Sequence, residues 1–287
     1  MLCGLTAMNK FNLTIFALAC LMTLNLIATS YSQLVSSKVL YLQGSIVNDD
    51  PSIPIPGLTL KYSTDFETAT SASSSRLNLA GGFQNRFNFD GTASKWVEGL
   101  ERTTNGITSH SGTRCIGAET SGNGYRVEFV IYPRTVGVGD TFYIREWLYL
   151  PADWSIAGGG WYGILQASDN NPPNWHPYYQ CLIYKTSNPA LFNMMLNSRD
   201  VSGYYTESYQ TKSNFALPRG QWFKFEWYEV RATNNQGSVK CWINGQVIFD
   251  KSGLTTKYVD DYQVETMKIY GDPGTYQLWV DDFELWG

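Results

Sequence analysis

The sequence predicts an all-β fold, two antiparallel sheets stacked as a sandwich, on three observations. Almost every periodic segment beyond residue 125 alternates with a period of two, the side-chain repeat of a strand. Gly, Pro, Asn and Asp interrupt these segments at short intervals, and no stretch sustains the 3.6-residue period of a helix. Of the 287 residues 15% are aromatic and only 16% charged, with 19 Tyr and 10 Trp, a composition suited to half-buried sheet surfaces. Ten or more strands without a long helix leave a sandwich or a barrel, and two stacked sheets are the simpler solution at this length.

Ahead of the strands, residues 1–32 read as a cleaved signal peptide. Lys10 is the segment's one charge, the apolar run covers 11–27, and the small residues Ser30 and Ser32 precede Gln33. Asn12, Thr14, Thr23 and Asn25 break that run, leaving it short of the roughly 20 apolar residues of a spanning helix. A secreted or cell-surface protein without a membrane span in its mature form is therefore expected. Residues 33–57 carry the Asn48-Asp49-Asp50 cluster and Pro51, Pro54 and Pro56, the composition of an extended linker. The folded domain is expected over 58–287.

The domain opens with a strand at 58–62, a turn at Asp65-Phe66-Glu67 and a Ser/Thr/Ala surface loop at 68–75. The run TFYIREWLYL at 141–150 sets Phe142, Ile144, Glu146 and Leu148 on one face and Tyr143, Arg145, Trp147 and Tyr149 on the other. Bulk on both faces predicts a central strand covered on both sides. Further strands are expected at 125–132, 161–167, 178–185, 191–197, 221–230, 238–243, 246–249, 264–270 and 277–286. Asn244-Gly245 divides VKCWI from QVIFD and predicts a type I′ hairpin, whose turn needs two residues at positive φ.

Charge and cysteine content narrow the function. The chain has 21 basic and 25 acidic residues, a net charge of -4, and no Lys/Arg-rich block. Nucleic acid and anionic membrane surfaces are thereby excluded as main partners. Cys3 and Cys20 fall in the leader, leaving Cys115, Cys181 and Cys241, which allow at most one disulfide. They contain no CxxC element, which argues against zinc. Cys181 and Cys241 fall within strand patterns and read as buried thiols.

Several stretches resemble a known group: YLPADW at 149–154, GILQ at 163–166 with its Asn/Pro-rich loop, GQWFKFE at 220–226, GSVKCWINGQ at 237–246 and VDDF at 280–283. They resemble concanavalin A-like jelly rolls, and their order is most similar to secreted polysaccharide lyases of the heparin-lyase-like kind, over about residues 125–287. Laminarinase-type hydrolases share the fold, but their E-x-D-x-x-E strand has no counterpart here, and hydrolysis by paired carboxylates needs two acids a few ångströms apart. The resemblance implies cleavage of an acidic, uronic-acid glycan by β-elimination. The alternative is a non-catalytic carbohydrate-binding, lectin-like or adhesive domain of the same fold.

Such a lyase needs a group to neutralise the uronate, a base for the proton at C5 and an acid for the leaving oxygen. The two histidines are His110, in the SHSG loop, and His176, in PPNWHPYY. On the lyase reading His176 is the base or holds the carboxylate, Gln166 and Arg145 bind the sugar acid, and Tyr178, Tyr184 or Lys185 stands near the leaving oxygen. Tyr143, Trp147, Trp161, Trp175, Tyr204 and Tyr205 are the candidates for stacking on sugar rings. Trp222, Trp227, Trp242, Trp279 and Trp286 are expected in the core. A polyanion on a net-negative chain further requires clustered cations, which Arg145, Lys185, Arg199, Lys212 and Lys224 would supply from one face.

A monomer with no required cofactor is expected. Asp65, Asp281 and Asp282, with Glu67 nearby, could hold a structural Ca²⁺ if the first and last strands are neighbours. Against that stands a solvated acidic edge, with Asp281 and Asp282 pointing to opposite faces of their strand.

Overall fold

Strand alternation produces two large antiparallel sheets, which a computed structural model describes for residues 55–67, 72–73, 76–77, 86–87, 94–100, 107–120, 127–156, 160–170, 178–199, 205–271 and 276–287. The chain divides into units 1–52 and 53–287, and every described residue belongs to the second. The leader, most of the linker, His176, Trp175 and Tyr204 lie outside the described residues; Tyr178, Arg199 and Tyr205 are described by backbone alone.

The strands are β1 (Leu60–Thr64), β2 (Ala72–Ser73), β3 (Arg76–Leu77), β4 (Arg86–Phe87), β5 (Ser94–Leu100), β6 (Arg114–Thr120), β7 (Val127–Ile131), β8 (Thr141–Leu150) and β9 (Trp161–Asp169). They continue with β10 (Tyr178–Lys185), β11 (Phe192–Arg199), β12 (Tyr205–Phe215), β13 (Gln221–Val230), β14 (Gly237–Ile243), β15 (Gln246–Leu254), β16 (Tyr262–Gly271) and β17 (Tyr276–Trp286). The first sheet has eight strands in the order β15-β14-β13-β8-β17-β6-β5, with β1 also on β17. The second has seven, β12-β11-β10-β9-β16-β7-β4, and β2 and β3 form a separate ribbon. The chain thus changes sheet between β4 and β5, on either side of β7, between β8 and β9, between β12 and β13, and on either side of β16.

One face of each sheet is apolar and closes on the other. Phe142, Ile144, Leu148 and Leu150 of β8, with Phe223, Phe225 and Trp227 of β13, join a buried cluster with Tyr162 and Ile164 of β9, Cys181 and Ile183 of β10, and Met194 and Leu196 of β11. Burying each such large side chain contributes about 1.5–3 kcal/mol. As expected, β8 is central, lying between β13 and β17. The first and last strands pair, Leu60 opposite Trp286. Asn244 and Gly245, at φ 49° and 74°, make the hairpin turn between β14 and β15.

Several elements depart from the sequence reading, among them β4 and β5, where no strand was expected. The segment read as a loop at 68–75 contributes β2 to the β2–β3 ribbon. The polar β12 has no apolar alternation yet pairs with β11, because an edge strand needs backbone partners on one side only. Asp281 and Asp282 do not point apart: Asp282 has φ 45° at a register shift, and the bulge turns both carboxylates toward one loop.

The interior also holds acids. Glu146 of β8 is fully buried between the sheets, where the Thr266 hydroxyl of β16 lies 2.6 Å from both its oxygens. Burial, outweighing that hydrogen bond, pushes its carboxyl up to about 8. Glu229 is likewise raised to about 7 by burial, against the pull of Arg231. Arg231, just after β13, pairs with Asp169 at the end of β9, and both are buried. The Asp169 carboxylate also accepts the Tyr258 and Val259 amides at 2.7 and 3.0 Å, while Arg231 lies 3.9 Å from the Tyr262 ring centroid.

Candidate functional site

Each sheet has an outer face, and the two differ in chemistry. On the first sheet the outer row of β8 is Tyr143, Arg145, Trp147 and Tyr149. Tyr143 donates its hydroxyl to Glu226 at 2.6 Å, and burial raises its phenol well above the usual range. Arg145 binds Glu284 through Nε at 3.0 Å and Nη2 at 2.9 Å, a fork on a carboxylate. Trp147 is covered by His110, stacked on it with ring centroids 3.7 Å apart.

The aspartates of β17 hold the loop that carries His110. His110 Nδ1 lies 2.5 Å from Asp282 Oδ2. The Ser111 hydroxyl donates to Asp282 at 2.7 Å and its amide to Asp281 at 3.1 Å. Burial opposes ionisation of Asp282, but the His110 and Ser111 hydrogen bonds hold its carboxyl below the ordinary range. Asp281 is pushed up to about 7, chiefly by burial. Nearby, the Thr113 amide and hydroxyl donate to Glu67 at 2.6 and 2.7 Å, and Asp65 accepts the Glu67 amide at 3.1 Å. Among the described residues no three His, Cys, Asp or Glu side chains group as metal ligands. The described bonds of Asp281 and Asp282 instead tie a loop across Trp147.

The outer face of the second sheet is a field of amides. Gln166 of β9 and Gln180 of β10 are register partners, each flanked by core residues and so turned outward. Gln180 also faces Asn197 of β11, and Gln166 faces Glu265 of β16. Asn197, Gln180, Gln166 and Glu265 therefore form a line across four adjacent strands, about 14 Å long at the usual strand spacing. Gln180 Nε2 reaches Asn197 Oδ1 at 3.4 Å. Lys268 of β16 joins the line, donating to Gln166 Oε1 at 2.9 Å and pairing with Glu265.

The neighbouring row, Tyr178, Ser168 and Gln263, runs parallel to it. The Ser168 hydroxyl is buried with no hydrogen-bond partner among the described residues, an open donor beside Gln166. Half-buried Met195, Asn193, Tyr184 and Trp161 lie further along the same face.

The expected site residues are therefore divided. Gln166, Tyr184 and Trp161 share the second sheet's outer face, and Tyr178 takes its place there by register. Lys185 ends β10 and is exposed. Tyr143, Arg145 and Trp147 sit on the opposite outer face, so Arg145 and Gln166 do not meet on one sugar acid. The cations do not line one face either. Arg145 and Lys224 belong to the first sheet, each beside a glutamate, whereas Lys185, Arg199 and Lys212 belong to second-sheet strands. Trp227 is in the core as expected, and Trp279 is buried in a smaller outer cluster. Trp222, Trp242 and Trp286 are half-buried on the first sheet's outer face. Gln180, Asn197, Gln263, Glu265 and Lys268 were not singled out from sequence; charged residues inside the otherwise apolar 264–270 run were the available signal.

Two antiparallel sheets in this order make a β-jelly-roll sandwich. The sequence matches the family described as Polysaccharide lyase over residues 88–284, and the chain belongs to that family. No curated protein matches it. Among solved structures it is similar to an endo-β-1,4-glucuronan lyase from the fungus Trichoderma reesei, at 17% identity and a TM-score of 0.54, covering 79% of this chain and 95% of that one. It is also similar to the cellulose induced protein Cip1, at 14% identity and 0.48, covering 78% and 96%. An alginate lyase from Aplysia kurodai matches at 11% and 0.42, covering 61% and 84%. The likeness in fold rests on the first of these.

Proposed function

We propose that the protein is a secreted lyase that cleaves a uronic-acid polysaccharide by β-elimination on the outer face of the second sheet. Membership of the polysaccharide lyase family sets the class of reaction. The observation that carries the placement is the line Asn197, Gln180, Gln166 and Glu265 with Lys268, a run of planar polar groups across the strands. Gln166 and Gln180 supply amide N–H donors to the sugar carboxylate. As the proton leaves C5, negative charge spreads into that carboxylate, so fixed donors stabilise the transition state more than the ground state. The C5–H electrons form the C4=C5 double bond, the C4–O bond breaks, and the departing oxygen takes a proton. We assign the two proton transfers to His176 and Tyr178, two residues apart in sequence, the second on the row beside Gln166. Trp161 and Tyr184 offer ring faces to neighbouring sugars.

The test is incubation of the mature protein with glucuronan, alginate, pectic and heparin-like polymers, followed at about 235 nm, where the conjugated product absorbs. A rise on one polymer class is expected. Glycan binding without any rise would favour the lectin-like reading and sink this one.

A further inference from the structure

We propose that Lys268 is a positioning residue that locks the Gln166 carboxamide with its NH2 group toward the bound uronate; this rests on the lyase reading of the same face. A chain of hydrogen bonds sets the orientation. Gln263 Nε2 donates to Glu265 Oε1 at 2.9 Å, Glu265 Oε2 accepts from Lys268, and Lys268 Nζ donates to Gln166 Oε1 at 2.9 Å. An ammonium group has donors and no acceptor, so the Gln166 atom facing it must be the carbonyl oxygen. No described residue accepts from Nε2, which leaves its two hydrogens for a ligand. The carboxylate in turn only accepts, which fixes Gln263 in the same way.

Without Lys268 the amide could turn over and present its oxygen to the substrate carboxylate, replacing attraction by repulsion. The bulge in β16 makes the arrangement possible. A register shift between Thr266 and Ile269 brings Lys268 onto the face of Glu265 although the two are three residues apart.

The burial of the pair points the same way. Glu265 and Lys268 are each 1% exposed, and an ion pair so placed is a poor source of stability, because desolvation offsets much of its attraction. An apolar pair would hold the strand as well. What the pair does supply is a fixed donor aimed at the place where charge develops, the form of preorganisation that a catalytic site requires.

The double variant Glu265→Gln/Lys268→Met removes both charges and leaves no buried ion unpaired. It is expected to lose about 100-fold in kcat/KM, the scale of a displaced catalytic contact. In a Gln166→Ala background the same two changes are expected to cost less than about twofold, because Lys268 acts through Gln166. Equal losses in both backgrounds would show a merely structural role and overturn the inference. Lys268→Arg keeps donor-only chemistry and is expected to retain activity within about fivefold; a loss as large as that of Gln166→Ala would also overturn it. If the wild-type protein gives no 235 nm product, the lyase reading falls, and the orientation is read separately by ¹⁵N NMR. The Gln166 side-chain NH2 signals, identified by their absence in Gln166→Ala, are expected to shift in the double variant, and unchanged signals would refute the lock.

Discussion

Glu146→Gln is expected to remove a large part of the pH dependence of stability. In the folded protein the Glu146 carboxyl titrates at about 8, against an ordinary 4.5. Below pH 4.5 it is protonated in both states and contributes no pH dependence. Between pH 4.5 and 8 the unfolded chain ionises while the folded protein keeps its proton, so stability falls as pH rises; above 8 the penalty is constant. At 1.36 kcal/mol per pH unit, this one group removes about 3 kcal/mol between pH 5 and 7.5. Glutamine has the shape of the neutral acid and can still meet the Thr266 hydroxyl, but it does not titrate. Urea unfolding of both proteins at pH 5, 6.5 and 7.5 reads the difference. Glu229 and Asp281, both raised to about 7, tilt both proteins equally and cancel. The variant is expected to gain about 3 kcal/mol on the wild type across that range. A difference that stays the same from pH 5 to 7.5 would refute the neutral, buried Glu146.

Other consequences follow from the same geometry. Arg231→Met leaves Asp169 buried without its partner and should cost about 3–5 kcal/mol, read as a lowered urea midpoint. Asp282→Asn weakens the charged grip on His110 and Ser111. It should destabilise the 107–113 loop by about 1–3 kcal/mol, seen as faster hydrogen exchange at Ser109–Gly112 and altered Trp147 fluorescence as His110 leaves its ring.

The fold was legible where alternation is strong and uninterrupted. In β8 large residues alternate so regularly that strand, facing and central position could be read directly, and β13 and β17 were read as strands. β12 was not, because an edge strand with polar residues on both faces carries no period. Neighbouring first and last strands entered only as a condition for a Ca²⁺ site, and the local backbone at Asp282 was not foreseen: a positive φ outside glycine is set by the loop it serves.

The candidate face was half legible. Gln166, Tyr178, Tyr184 and Trp161 were named together and share a face. Arg145, Tyr143 and Trp147 were grouped with them because they are neighbours in sequence, yet the chain changes sheets between β8 and β9, and which sheet receives a strand depends on long-range packing. Lys268 escaped notice for a different reason. The bulge in β16 breaks the period of two just where Lys268 joins Glu265, so the alternation rule assigns it to the wrong face.

On the proposed function, chemistry occurs on the second sheet's outer face and not on the first. Initial rates at 235 nm for Gln166→Ala and for the charge-neutral pair Arg145→Met/Glu284→Gln test it side by side, with circular dichroism to confirm folding. Gln166→Ala is expected to lose at least about 100-fold in kcat/KM, while the Arg145/Glu284 pair stays within about threefold of wild type, since that fork touches no proposed substrate position. Full activity in Gln166→Ala together with collapse in the Arg145/Glu284 variant would place the reaction on the opposite face and contradict the account.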